Sequence, residues 1–136
     1  MATFLWRYDG RPEPASLDTA FIDVVAKTFY AKAVAWLAEE EITTGTTPTT
    51  FSPDESVTRG QMATFMWRYS GSPEPASLDT PFTDVVARTF YAKAVAWLVE
   101  QSITTGTTPT TFSPDDPVTR GQMATFLWRL AGEPPV

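Results

Sequence analysis

The stretch ITTGTTPTTFSPDESVTRGQMATF, Ile42–Phe65, returns almost unchanged as Ile103–Phe126. Its second half carries a helix start. Thr58 followed three residues later by Gln61 has the form of a capping box: the Thr hydroxyl accepts from the Gln61 amide, and the Gln side chain reaches back to the Thr58 amide. Val57 before the cap and Met62 after it are spaced as a hydrophobic staple. Thr119, Gln122, Val118 and Met123 repeat all four parts. Such a cap is worth about 1 kcal/mol. Upstream, SPDE and SPDD are turn formers, and Phe51 and Phe112, alone among polar neighbours, are expected to plug the loop into a core.

Working outward, MATFLWRYDG at Met1–Gly10 returns as MATFMWRYSG at Met62–Gly71 and as MATFLWRLAG at Met123–Gly132. The period is 61 residues, and the two full copies agree at about four positions in five. A period of this length marks a repeat array. The sequence divides into the C-terminal helix of a truncated repeat (1–10), full repeats at 11–71 and 72–132, and a tail (133–136). Because Met1 coincides with the repeat's own Met, the chain reads as cut from a longer array.

Each repeat predicts two helices. The first spans Thr28–Glu40, with Phe29, Ala33, Trp36 and Leu37 on one face and a composition that favours helix. The second runs from about Arg59 to Tyr69, with Met62, Phe65, Met66 and Tyr69 at i, i+3, i+4 and i+7. Gly71 stands just past its end. The connector GSPEPASLDTPF is too rich in proline for a third helix. Strand is expected only as short pieces around FTDVV or ITTG. The fold class is therefore all-α, built of tandem helix-loop-helix repeats.

Composition narrows the function. Hydrophobic residues make up 43% and aromatic residues 13% of the 136, enough for a buried core despite twelve prolines. Net charge is -6 and the ten basic residues are scattered, which excludes a nucleic-acid footprint. No apolar run approaches the roughly 20 residues of a membrane span. No basic region precedes an apolar segment, so no signal peptide is expected in this chain. Cys and His are absent, which removes thiolate chemistry, the commonest metal ligand and the commonest general base. Lys27, Lys32 and Lys93 read as solvated helix positions rather than as bases. Asp54, Glu55, Asp115 and Asp116 would supply glycosidase carboxylates, but they lie in turns where Asp serves local hydrogen bonding. No enzyme activity, cofactor or metal is expected.

Two binding features remain. Arg59 and Arg120 occupy the first helical position after the cap, where a guanidinium joins free helix N–H groups in holding an anion. Trp36, Trp67, Trp97 and Trp128 offer flat faces for sugar stacking. The competing reading makes the Trp residues core and pairs the two Arg with nearby Asp.

In order and spacing, FTDVV, FYAKAVAWLVE, SITTG, TFSP and VTRGQMATFLWR resemble the S-layer homology family. The resemblance covers both full repeats, and Met1–Gly10 matches the end of a third. It implies helix-loop-helix units packed around a pseudo-threefold axis. It also implies a module that tethers an exported protein non-covalently to secondary polysaccharides of the bacterial cell wall, often pyruvylated ones. The family's T-R-A-E motif places Arg and Glu in the ligand groove. Here Arg59 and Arg120 keep the Arg, Gly60 and Gly121 replace Ala, and Gln61 and Gln122 replace Glu. Phe29 and Phe90 stand where the family has Trp, and Glu41 and Ser102 where Gly closes the first helix. The resemblance assigns anionic glycan contact to Arg59 and Arg120, with Gln61 and Gln122 as neutral polar partners and Trp36 and Trp97 as stacking faces. Thr58 and Thr119 remain structural caps. The expected location is the bacterial cell surface, outside the cell. The alternative is a structural or self-assembly array with no glycan site. Three copies of the second helix against two of the first leave an apolar face that invites a homo-oligomer or neighbouring repeats of a longer chain.

Overall fold

The computed structural model describes residues 1–135. It contains five helices: α1 (Ala2–Tyr8), α2 (Ala31–Glu39), α3 (Arg59–Tyr69), α4 (Ala92–Glu100) and α5 (Arg120–Leu130). Among the described residues there is no strand, only isolated bridges at Thr47↔Thr50, Thr108↔Thr111 and Thr58↔Pro117. The all-α expectation holds.

The second-type helix falls where its periodicity put it, at Arg59–Tyr69. The first-type helix begins three residues later than the spacing predicts. The reason is a local turn: the Thr28 amide and hydroxyl both donate to the Val25 carbonyl, at 3.1 and 2.7 Å, and hold the chain back from helix. Phe29 therefore lies outside α2. It is 79% exposed and leans edge-on against Tyr30 at 5.2 Å, rather than sharing the buried face of Ala33, Trp36 and Leu37. Phe90 repeats this against Tyr91 at 5.1 Å.

The chain forms two compact units, Met1–Glu55 and the remainder from Ser56. In the first, α1 packs on α2; in the second, α3 packs on α4. Each packed pair thus joins a MATF helix to the FYAKAVAW helix that follows it. The connector makes this possible. Trp6 Nε1 donates to Pro12 O at 2.8 Å and Trp67 Nε1 to Pro73 O at 2.7 Å, folding the connector back on its own helix. The carboxylate of Glu39 accepts from Ser16 N, and that of Glu100 from Ala76 N, latching the far end onto the next helix. The exposed pairs Lys32–Glu13 (2.9 Å) and Lys93–Glu74 (3.0 Å) add little, about 0–1 kcal/mol each. Most of the stabilisation comes from full burial of Leu5, Val34, Leu37 and Ile42 in one unit and of Met62, Met66, Val95, Leu98 and Phe112 in the other. A buried aliphatic side chain of this kind contributes about 1.5–3 kcal/mol.

Helix ends show one departure from ordinary chemistry. After α3, Gly71 at φ 92° closes a two-bond terminus in which Ser72 N donates to Trp67 O and Gly71 N to Arg68 O. After α2 the same bonds run from Ile42 N to Leu37 O and from Glu41 N to Ala38 O, but Glu41 takes the left-handed conformation at φ 58°. Ser102 does so after α4 at φ 59°.

The loop is held from its base. Asp23 accepts from Phe51 N at 2.9 Å and from Ser52 N at 2.8 Å, one through each carboxylate oxygen. These bonds, that from Phe51 first, hold its carboxyl below the ordinary value against the opposing effect of desolvation. Asp84 grips Phe112 N and Ser113 N in the same way. Gly45 at φ 84° is obligatory here, because a Cβ would come within 2.5 Å of both Phe21 Cε1 and Thr50 O.

Candidate functional site

The capping box at α3 is complete. Gln61 N donates to Thr58 Oγ1 at 3.1 Å, and Thr58 N donates to Gln61 Oε1 at 2.9 Å. The box at α5 repeats it at 3.0 Å in both directions, through Thr119 and Gln122. Both glutamine oxygens are thereby engaged with backbone, and their amide NH2 groups remain as donors for other partners.

Between these caps, in the second unit, the start of α3 docks on the loop of the following repeat. Arg59 N donates to Asp116 O, Gly60 N to Pro114 O, and Val118 N to Val57 O, each at 2.8 Å. The first two are N–H groups that a helix leaves without intrahelical acceptors, so this loop satisfies the helix terminus. Arg59 follows its backbone inward. Its side chain is buried, with the residue 3% exposed, and Nε donates to Phe112 O at 2.7 Å. Its guanidinium lies 4.6 Å from the centre of the Phe112 ring and 5.4 Å from that of Phe126. Such cation–π contacts strengthen as the cation loses water. Burial pushes the Arg59 pKa down, and the charges of Asp116 and Asp84 oppose that shift. No carboxylate lies within ion-pair distance of it among the described residues.

Gly60 is part of the fit. A Cβ at this position would stand 2.9 Å from Tyr91 Cδ1 and 3.2 Å from Pro114 O, so the Tyr91 ring occupies the space an alanine would take. At Gly121 a Cβ would meet only Thr119 Oγ1, at 3.9 Å.

Arg120 is in a different state. It begins α5 in the same VTRGQM context, yet it is exposed and its side chain makes no hydrogen bond or ion pair among the described residues. Arg59, Gln61, Arg120, Gln122 and Trp97 all lie in the second unit, but of these the contacts bring only Arg59 to the following repeat, with Phe112, Phe126 and Asp116. Trp36, in α2 of the first unit, and Trp97, in α4, are 5% and 9% exposed. They leave little ring face to solvent. The open aromatic faces nearest in sequence are Phe29 and, at 62% exposure, Phe90.

Sequence reasoning missed the receiving half of this arrangement: Phe126 as a second ring, Tyr91 as the reason for Gly60, and Asp23 and Asp84 as loop clamps. The clamps had a signal, an Asp two residues after Phe21 and Phe82. The other contacts had none, because they join segments far apart in the sequence, Gly60 with Tyr91 and Arg59 with Phe126.

The profile of the S-layer homology domain matches this chain at two tandem segments, residues 20–63 and 81–124. Each match runs from the loop-clamping segment through the first-type helix to the capped start of the second. An endoglucanase of Bacillus sp. strain KSM-635 is 38% identical over 109 residues, which is 80% of this chain and 11% of that protein. A cell surface protein of Thermoanaerobacter kivui is 42% identical over 71 residues, 52% of this chain and 9% of that protein. The chain spans about a tenth of the length of these relatives. With the capped helix, the clamped loop and two profile matches covering more than half of its residues, the chain belongs to the S-layer homology domain family.

Proposed function

We propose that this chain is a non-catalytic attachment module of a cell-envelope protein, binding anionic cell-wall polysaccharide non-covalently at the bacterial surface. The carrying observation is the Arg120 helix start. An exposed guanidinium stands beside the amides of Arg120 and Gly121, which have no acceptor among the described residues. That combination suits a carboxylate-bearing glycan. Gln122 adds a neutral amide donor. Arg59 with Gln61 is the same element with its guanidinium buried, and Trp36 and Trp97 are core residues of α2 and α4, each within its own unit. The two relatives, an endoglucanase and a cell surface protein, fit a module carried by larger proteins. Among the described residues no helix is long and apolar enough to cross a membrane.

The test is retention on purified cell-wall sacculi stripped of protein, comparing the wild type with Arg120→Ala. Arg120 is exposed, so its loss leaves melting unchanged. Wild-type retention that falls at least tenfold in the variant supports the reading, and no retention of the wild type on any wall overturns it. The burial of Arg59 favours a second reading, in which the TRG element is a joint between repeats and the module is a structural array.

A further inference from the structure

Threonine fills six of the eight positions of TTGTTPTT, at Thr43–Thr50 and again at Thr104–Thr111. The hydroxyls of this loop do not share one role. Thr43 Oγ1 accepts from Gly45 N at 3.1 Å. Thr47, Thr50, Thr46 and Ser52 form a chain of hydroxyls in that order, with successive contacts of 2.6, 3.0 and 2.6 Å. Links in such a chain polarise and strengthen one another. The second copy repeats the chain at the same distances, through Thr108, Thr111, Thr107 and Ser113. At the tip of each loop one hydroxyl stands outside it: among the described residues, the side chains of Thr49 and Thr110 have no hydrogen-bond partner.

The backbone holds these two residues in place. Pro48 takes the second position of a tight turn closed by Thr50 N on Thr47 O at 3.4 Å, where its fixed φ suits the turn. Thr49 comes next, with its amide on Thr47 Oγ1 at 3.3 Å and its carbonyl accepting from Ile22 N at 2.9 Å. Thr110 N meets Thr108 Oγ1 at 3.3 Å, and its carbonyl accepts from Thr83 N at 2.8 Å. Both residues are exposed. Thr110 is so even though the adjoining Pro114 and Asp116 receive the start of α3, so exposure is a property of the loop itself. The segments Ile42–Pro53 and Ile103–Pro114 are identical and carry no charged residue. The loop therefore offers a hydroxyl and no base to activate it.

We infer that Thr49 and Thr110 are acceptor sites for O-linked sugar, added by a glycosyltransferase of the cell envelope. Threonine-rich stretches interrupted by proline are a composition that carries O-linked glycans, and the chain has no Asn for N-linked ones. In the transfer, Oγ1 attacks the anomeric carbon of a sugar activated as a phosphate ester. The bond from Oγ1 to that carbon forms, and the bond from the carbon to the phosphate oxygen breaks. Its electron pair leaves on the phosphate, and the hydroxyl proton passes to a base of the transferase. Thr46, Thr47 and Thr50 would each have to give up a hydroxyl contact of 2.6 to 3.0 Å to react, whereas Thr49 gives up none. The inference rests on the reading of the chain as a cell-envelope module, and not on its binding any wall polysaccharide.

The test is intact-mass spectrometry of the chain recovered from the bacterium that makes it, with fragmentation of its peptides. The wild type should run above the 15.0 kDa polypeptide. Mild alkali should release the added mass by β-elimination, in which the sugar departs with Oγ1 and leaves a dehydrated residue at positions 49 and 110. Thr49→Ala combined with Thr110→Ala should lose the added mass with melting unchanged, because neither hydroxyl holds the fold. Thr49→Ser combined with Thr110→Ser, which restores a hydroxyl, should keep it. A wild type at the bare polypeptide mass, in whichever fraction it is found, overturns the inference and leaves retention on sacculi to be judged by its own assay. Sugar mapped to Thr44, Thr46, Thr47 or Thr50 instead also overturns it, as does an added mass that a phosphatase removes.

Discussion

Replacing Arg59 and Arg120 separately by alanine applies one chemical change to one local sequence in two environments. At Arg59 the change removes a charge-assisted hydrogen bond to Phe112 O (2.7 Å), worth about 1.5–3 kcal/mol. It also removes cation–π contacts with Phe112 and Phe126, worth about 0.5–2 kcal/mol each. Relief of the guanidinium's own desolvation offsets part of this. The expected net loss is about 3 kcal/mol, and Arg120→Ala should stay within about 0.5 kcal/mol of the wild type, as an exposed substitution does. The assay is urea denaturation followed by tryptophan fluorescence, with the slope checked for constancy so that a midpoint shift reports stability. Arg59→Lys is the diagnostic companion. It keeps the charge but loses the planar fork and the Nε donor, so it should recover less than half of the loss. Equal destabilisation by the two alanine substitutions would refute the assignment of Arg59 as the buried joint. Full recovery by lysine would refute the role given to the guanidinium geometry.

Three further outcomes follow from the same geometry. Gly60→Ala should destabilise by about 1–3 kcal/mol through overpacking against Tyr91, whereas Gly121→Ala, in open space, should stabilise by up to about 1 kcal/mol; thermal melts of the two variants decide it. Glu41→Gly should raise stability by about 0.5–1 kcal/mol by relieving a left-handed non-glycine residue. Glu40→Gly, at φ -82°, should lower it in the same assay. Asp23 has a lowered carboxyl pKa in the folded chain. Its contribution is therefore complete above the unfolded value of about 3.9 and is lost as pH falls through the lower folded value. Asp23→Asn should flatten the dependence of the urea midpoint on pH between about 5 and 2; an unchanged slope would assign that dependence to other carboxylates.

Much of this molecule was legible because it is local. The capping boxes at Thr58 and Thr119 lie within four consecutive residues and depend on no other part of the chain. The α3 boundaries follow from the cap at one end and Gly71 at the other. The start of α2 was misjudged for an equally local reason: the Thr28–Val25 turn competes with helix, and periodicity does not register a side-chain hydrogen bond that holds the chain in another conformation. The burial of Phe112 was also readable, from one large ring in a polar loop, although its counterpart Phe51 is only half-buried.

What sequence alone determined is the repeat, the all-α class, the capped starts of α3 and α5, and the family. Each rests on interactions between near neighbours or on motifs preserved in order. What only tertiary structure decided is the state of the two arginines. Thr58-Arg59-Gly60-Gln61 and Thr119-Arg120-Gly121-Gln122 are identical tetrapeptides with identical caps, so no local rule separates them. The following loop supplies carbonyls, the Phe112 ring and a nearby negative charge to one, and α5 adds the Phe126 ring, while the other stands in solvent. A guanidinium's burial depends on what surrounds it in space, and for Arg59 that surrounding comes from residues as distant along the chain as Phe112 and Phe126.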